Sequence, residues 1–539
     1  MTALIDRIRH ELIGQGRGLL TVFGLRPLVY ADYTASGRSL GFIEDYIQNT
    51  VLPWYANTHT TSSATGAQTT AFREQARSEI AKAVNAGDQD QVIFCGSGAT
   101  AAVDKLLKLL ELDRPCDPEQ PRPVVFIGPY EHHSNELPWR ESAADVVSVC
   151  LNARGKLCLE DLAKKLELFS DRPLKVGSFS AASNVTGIKT DVPAVSRLLK
   201  QHGALCCWDY AAAAPYTKID MNAATPLDAV SISPHKFIGG PGTPGILVVK
   251  RSVFKRRIPS VPGGGTVSWV SPNGHRYLPA GAEREEGGTP GIVEAIRAGL
   301  VFKLQQQVGI EEIEIREHNY ATRAMQRLLA HPDIEVLGPA DENRLALFSL
   351  RIKHDGKDLH YGFVTALMND LFGIQLRGGC SCAGPYGHYL LGLTPKLSAM
   401  IDKASEQGFT AFRPGWVRLN FNYFITEAEF NYLLDALTLV ADHGWRMLPY
   451  YQHDSKTNTW RYQGIAPKVE SLADLDFSQA LPNNTVAAPK LGQTLSDAER
   501  ILRAPRTAQE RVFSLNVKPE HESICWFRLP QDVIPLLDH

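Results

Sequence analysis

Between residues 91 and 250 the chain alternates short apolar runs with charged, amphipathic segments. Gln91–Phe94, Val124–Ile127, Lys175–Ser180, Ala204–Trp208, Val230–Ser233 and Gly245–Val249 read as strands. Ala101–Leu110, Leu159–Leu168 and Val192–Gln201, the last closed by Gly203, read as helices. Strands alternating with helices predict an α/β fold, with a mostly parallel sheet covered by helices on both faces. Ligands of such sheets sit at the carboxyl ends of the strands, so the residues just beyond each strand carry the functional signal.

At 539 residues the chain is long enough for more than one domain. Residues 1–28 read as an N-terminal helix and linker, 29–310 as the large α/β domain, and 311–455 as a smaller α+β domain. Residues 456–539 form a weakly periodic, Pro- and Asn-containing extension. The net charge of −2 argues against a nucleic-acid footprint or a basic membrane patch. No apolar run approaches the roughly 20 residues of a membrane span. The N-terminus mixes charges throughout, without the apolar core of a secretion signal. Nine cysteines, an odd number scattered along the chain, suit reduced thiols in a cytoplasmic protein. Cys380 and Cys382 are too close for zinc spacing, and no second Cys or His pair completes a metal site. The glycosylation patterns at Asn184 and Asn483 read as coincidence.

Cys95-Gly-Ser-Gly-Ala-Thr100-Ala101 follows a strand and opens a helix, where free N–H groups and the helix dipole bind anions. Gly96, Gly98 and Ala101 also fit a dinucleotide fingerprint, with Asp113 as a loose ribose partner. A phosphate fits the other strand-end residues better. His132 follows Val124–Ile127, Asn184 follows Lys175–Ser180, Asp209 ends Ala204–Trp208, and Lys236 follows Val230–Ser233. Taken singly, His132 reads as a structural histidine, Asn184 as a turn residue, Asp209 as a helix cap and Lys236 as a loop lysine. Together they converge on one edge of the sheet. There a desolvated lysine frees its amine for imine chemistry, and a buried aspartate needs a cationic partner.

With these residues in place, the chain resembles the class V aminotransferase group of fold-type I pyridoxal-phosphate enzymes, and within it the NifS-like cysteine desulfurases. The likeness runs from about Tyr30 to about Val440. It implies that Lys236, in Ser233-Pro-His235-Lys236, bonds the aldehyde of pyridoxal 5'-phosphate. It implies that Ala99, Thr100, Ser233 and His235 hold the phosphate, that His132 stacks on the ring, that Asp209 pairs with the ring nitrogen, and that Asn184 lies near the ring hydroxyl. Thr289, in Glu286-Gly-Gly-Thr289, resembles the threonine that reaches the partner subunit's phosphate, which implies a homodimer. Arg418 matches the arginine that grips the substrate carboxylate, and Arg377 and Asn184 join it in the substrate set.

In group II desulfurases the loop cysteine that attacks the substrate sulfur lies five residues after an arginine, and Cys382 has that offset from Arg377. Cys380 shares the loop, and two unreactive thiols in a small-residue turn are the alternative. The loop and Gly263-Gly-Gly-Thr266 also resemble the N-terminal domain of molybdenum cofactor sulfurases. Two departures stand out: Ala212 replaces the family's glutamine, and the tail is shorter than the sulfurases' C-terminal domain. The implied activity is removal of sulfur from L-cysteine or a related amino acid, giving alanine and an enzyme persulfide, with a sulfur-acceptor protein as partner. Lys236, Cys382 and His132 are then the catalytic set. The alternatives are another class V reaction without a persulfide, such as transamination or lyase chemistry, and a non-catalytic scaffold or sulfur relay.

Overall fold

The computed structural model describes residues 2–115, 117–340, 343–479, 485–504 and 510–537. Asn483 and Cys116 lie outside the described residues. The chain divides into two compact units, one of Met1–Ile13, Tyr33–His318 and Asp341–Leu345, the other of Gly14–Asp32, Asn319–Ala340 and Ala346–His539.

The first unit is built on seven strands: β1 (Asp90–Cys95), β2 (Val124–Ile127), β3 (Asp145–Ser148), β4 (Lys175–Ser180), β5 (Leu205–Asp209), β6 (Ala229–Ile232) and β7 (Gly245–Lys250). Their order in the sheet is β1-β7-β6-β5-β4-β2-β3. All run parallel except β7, which pairs antiparallel with β1 and β6. The parallel strands are apolar on both faces because both are covered. On one face Ile93, Val125, Val176, Cys207 and Leu247 pack with Val103 and Leu106 of α2 (Gly98–Leu109). On the other, Leu199 of α4 (Val192–Gln201) sits over Gly177, where a Cβ would lie 2.5 Å from the leucine. Between these two helices in sequence comes α3 (Leu159–Leu168).

Two more helices, α1 (Ala64–Ala83) and α5 (Ile292–Val308), cross at closest approach. A Cβ added to Gly299 would stand 2.4 Å from Ala76 Cα. A hairpin of β8 (Val267–Ser271) and β9 (Gly274–Tyr277) completes this unit and leaves Trp269 64% exposed. The helix α6 (Ile310–Leu329) carries the chain into the second unit.

The second unit holds an antiparallel sheet of β10 (Ile334–Val336), β11 (Leu347–His354), β12 (Arg377–Gly379) and β13 (Trp416–Asn420), in the order β10-β11-β13-β12. Two of its helices are α7 (Tyr361–Phe372) and α8 (Glu427–His443), the latter opened by a Thr426/Glu429 capping box. Where the sequence suggests a linker, Gly18–Thr21 pairs with Gly24–Pro27 in a hairpin, and Arg26 is tied to Asp497 at 2.7 Å. Asp497 lies on α9 (Leu491–Arg503). The residues after 456 also anchor here through aromatic groups: Trp460 Nε1 donates to His360 Nδ1 at 3.0 Å, and Trp526 Nε1 to the Phe412 carbonyl at 3.0 Å. Burial among these rings pushes His360 down to about 3. No helix among the described residues is long and apolar enough to cross a membrane.

The α1–α5 crossing yields a stability test. Gly299→Ala forces a methyl against backbone and is expected to cost about 1–3 kcal/mol in urea unfolding. Adding Ala76→Gly does not restore stability, because the nearest atom is the Ala76 Cα.

Candidate active site

At the carboxyl edge of the first sheet, the β1–α2 turn and the residues after β6 interlock. Gly98 takes a left-handed conformation (φ +55°), and a Cβ there would lie 2.8 Å from Ser233 Oγ and 3.6 Å from His235 Nε2. Ala99 N–H donates to Ser233 Oγ at 2.8 Å. A Cβ on Gly245 would meet the Gly98 carbonyl at 2.0 Å, so β7 also requires glycine at this point. The result is a helix N-terminus, a hydroxyl and an imidazole around one small space, the chemistry of an anion cradle. Burial, then the Lys236 ammonium, push His235 down to about 4, so it is neutral at pH 7.

Thr100 joins this group through Ser134, whose Oγ lies 2.6 Å away. The Ser134 N–H donates to His132 Nδ1 at 3.1 Å, which leaves the neutral ring's proton on Nε2. Asp209 ends β5 opposite Ser180 of β4 and Ser231 of β6. It is 5% exposed, and Oδ1 accepts one bond, from Ala211 N–H at 2.7 Å. Among the described residues it has no ion pair within 4.0 Å. Burial raises its carboxyl, while the Ala211 N–H and the charge of Lys236 pull it down. Lys236 closes a 3₁₀ turn (Pro234–Lys236), its N–H bonded to the Ser233 carbonyl at 3.1 Å. Asn184 is buried on the loop after β4, which Ser183 Oγ braces through the N–H groups of Val185 and Thr186.

Two features of this edge were not singled out from the sequence. Glu131, beside His132, is buried and accepts four hydrogen bonds: from Gly128 N–H (3.2 Å), Ser180 N–H (3.0 Å), Ser180 Oγ (2.6 Å) and Asn135 Nδ2 (2.7 Å). It ties the β2 exit to the end of β4 and so sets the approach of His132. Burial pushes the Glu131 carboxyl up to about 7, against those bonds, with Asp209 adding to the rise. The other is Glu286, buried between Arg73 (2.5 Å), Arg77 (2.9 Å) and Phe94 N–H (2.7 Å), which fixes the segment leading to Thr289. Thr289 itself is exposed, with Asn57 Nδ2 at 3.5 Å from its hydroxyl. Asp113 pairs with Arg256 at 2.8 Å beyond the far end of α2, so the dinucleotide reading gives way.

The second unit carries the remaining candidates. Arg418 on β13 stands in register with Arg377 on β12. Asp32 bridges them: Oδ1 accepts from Arg418 Nη2 at 3.0 Å and Oδ2 from Arg377 Nε at 3.2 Å. Burial lowers the Arg418 guanidinium's pKa, and Asp32 opposes that fall. Beyond β12, Ser381 (φ 54°) and Cys382 (φ 56°) are both left-handed, which is costly for non-glycine residues. The turn follows β12 directly, so both cysteines come just after Arg377 in the chain. Both are exposed. No metal-binding cluster of three or more His, Cys, Asp or Glu occurs among the described residues.

A lysine just past a sheet strand, an aspartate ending its neighbour and an anion cradle at the first helix define a fold-type I pyridoxal-phosphate enzyme. Solved structures share this fold: a cysteine desulfurase from Thermococcus onnurineus NA1 (TM-score 0.64, 23% identity, 77% of this chain and 95% of that one) and the cysteine desulfurase CsdA from Escherichia coli (TM-score 0.62, 22% identity, 80% and 97%). The aminotransferase class-V family model matches residues 29–431, and the chain belongs to that family. Relatives include probable cysteine desulfurases from Streptomyces coelicolor (29% identical over 393 residues, 70% of this chain and 91% of that protein) and Halalkalibacterium halodurans (28% over 370 residues, 68% and 86%).

Glu131 gives this site a pH signature. Its folded pKa is raised above the unfolded value, so the folded chain holds a proton that the unfolded chain has released between about pH 4.3 and 7. Its contribution to stability is therefore greatest below that window and is lost as pH rises through it, by up to about 1.4 kcal/mol per pH unit. Glu131→Gln should remove this slope. Denaturant unfolding of both proteins from pH 5 to 7 checks it, the difference between them isolating Glu131.

Proposed function

We propose that this chain is a pyridoxal-phosphate-dependent cysteine desulfurase that takes sulfur from L-cysteine or a close analogue. The observation that carries the reading is the pairing of Arg377 with Arg418 on adjacent strands, joined by Asp32, with the strand of Arg377 running directly into the turn that carries the exposed Cys380 and Cys382. The residues present fit the cofactor. The cradle of Ala99, Thr100, Ser233 and His235 suits its phosphate, and Asp209, buried with a single backbone donor, suits a protonated ring nitrogen. Ala212 supplies no hydrogen bond where the family has glutamine, which leaves the ring hydroxyl to Asn184. When bound, pyridoxal phosphate supplies an electron sink for the charge left as the substrate's α-proton departs.

The side chains then have separate tasks. Arg418 and Arg377 orient the substrate carboxylate. The Lys236 amine takes up the α-proton, and His132 covers the ring face and holds a proton on Nε2. The Cys382 thiolate attacks the substrate sulfur, the carbon–sulfur bond breaks, and the electron pair stays with carbon. Proton return gives alanine and a Cys382 persulfide, so the atoms balance without an external oxidant. That exposed persulfide is open to a sulfur-acceptor protein. A homodimer is part of the reading: Leu52, Trp54, Tyr55, Val261, Trp269 and Val270 leave apolar surface exposed on the first unit, as does the Thr289 side chain its hydroxyl. Eight free cysteines among the described residues suit a cytoplasmic location.

The test is turnover of L-cysteine by purified, cofactor-loaded protein with excess dithiothreitol, which reduces the persulfide and releases its outer sulfur as sulfide. Alanine and sulfide are expected in equal amounts. Cys382→Ala should abolish both while Cys380→Ala keeps them, and Lys236→Ala should lower kcat by about 10²–10⁴. Turnover that needs a keto acid and survives loss of both thiols overturns the sulfur chemistry in favour of transamination. A second prediction concerns Arg418→Lys, which loses the planar fork: KM for L-cysteine should rise about tenfold or more, measured in the same assay.

A further inference from the structure

Outside the candidate site, the turn between β3 and α3 sets two cysteines opposite each other. Leu151 bridges Leu157 antiparallel, and the turn is closed by Asn152 N–H on the Lys156 carbonyl at 2.7 Å. One step outward, Cys158 N–H donates to the Cys150 carbonyl at 3.0 Å. The two cysteines thus occupy a hydrogen-bonded pair position with one of its two bonds made, the Cys150 N–H turning to Asp161 instead; residues at such positions lie opposite, side chains on one face, with Cα atoms about 5.5 Å apart when both bonds form. Disulfides span Cα separations of about 4.4–6.8 Å. Both thiols are free; Cys150 is exposed and Cys158 half-buried.

We propose that Cys150 and Cys158 form a reversible intrachain disulfide, a modification site separate from the candidate active site, made by exchange with a small-molecule disulfide such as oxidised glutathione. One chain thiolate attacks the small disulfide and expels a thiol. The second chain thiol then displaces the other half, so the chain loses two hydrogens and two small thiols form. No step draws on pyridoxal phosphate or on Cys382.

The local frame favours the oxidised form. The first turn of α3 clamps the backbone: Asp161 Oδ2 accepts from Cys150 N–H at 2.8 Å and pairs with Lys165 at 2.6 Å. Cys158 Sγ donates to Glu160 Oε2 at 3.2 Å. The thiols thus sit against carboxylates, not cations. Partial desolvation, then Asp161 and the Cys158 thiol, hold the Cys150 thiol above its ordinary range. A dithiol whose thiolates are not stabilised oxidises slowly and gives a disulfide that resists reduction. The pair lies beside β3, the edge strand of the sheet, so the bond would staple the chain at its open edge. The same turn, through Asn152, Lys156 and Leu157, helps line a cavity of about 550 Å³ that Tyr130, two residues before His132, also lines.

The test uses full-length protein incubated with oxidised glutathione, alkylated, digested with trypsin and mapped by mass. Trypsin cuts after Arg154 and Lys156, so the two cysteines fall in different peptides. A linked pair lighter by two hydrogens is expected, restored to two thiols by dithiothreitol. Cys150→Ser and Cys158→Ser should each lack it and carry one glutathione on the remaining cysteine. Separate glutathione adducts on both cysteines of the wild type, or full alkylation of both, overturn the proposal. A cross-link found only in a covalent dimer on a non-reducing gel overturns it as well.

Discussion

Asp209 ends a central strand in a place where a carboxylate cannot comfortably hold its charge. Water is excluded, one backbone N–H bonds it, and its nearest influential cation is Lys236. An isolated buried carboxylate is costly enough that a protein would not retain one without a partner. The register of the sheet makes the placement unavoidable, since Asp209 lies between Ser180 and Ser231 on the two flanking strands. The turn that carries Lys236 follows β6 directly. In the proposed reading, a cation delivered at that point by a ligand settles Asp209 and leaves the lysine amine for chemistry. The aspartate and the lysine are thus two halves of one electrostatic problem.

The anion cradle solves a different problem at the same edge. Phosphate recognition by a helix N-terminus needs the backbone to come close, and three chain segments meet there: Gly98, Gly245 and Ser233. Side chains at the two glycines would drive the segments apart, so the cradle exists only because those positions lack a Cβ. His235 stays neutral because burial and Lys236 both penalise its charged form. It therefore offers a donor or an acceptor to an anion without adding fixed positive charge.

Much of this was legible in the sequence because covered parallel strands announce themselves as apolar runs. β2, β4 and β7 are buried along nearly their whole length and read correctly, while β3, a partly exposed edge strand beginning at Asp145, carries no such signal. The strand-end residues were visible for the same reason, since each strand's end marks where to look. Glu131 hid inside the run that contains His132: its role depends on Ser180 and Asn135, and Ser180 is 49 positions away. Asp32 carries no signal of its own in the sequence, because its two arginine partners lie more than 340 residues further on. The tail escaped periodicity altogether, since it is anchored by Trp460 and Trp526, spaced to no repeat.

Asp32 also changes how the arginines of the second unit should be understood. Arg418 is 3% exposed, and a buried guanidinium needs a counter-charge at all times. Asp32 provides it with one oxygen and uses the other to steer Arg377. In the proposed reading, a substrate carboxylate reaching Arg418 meets a cation that Asp32 already orients. Binding is weaker than to a bare arginine but better oriented, because the planar fork has lost its freedom to turn. The same bridge fixes the strand that leads into the turn of Cys380 and Cys382, because Arg377 sits at its start.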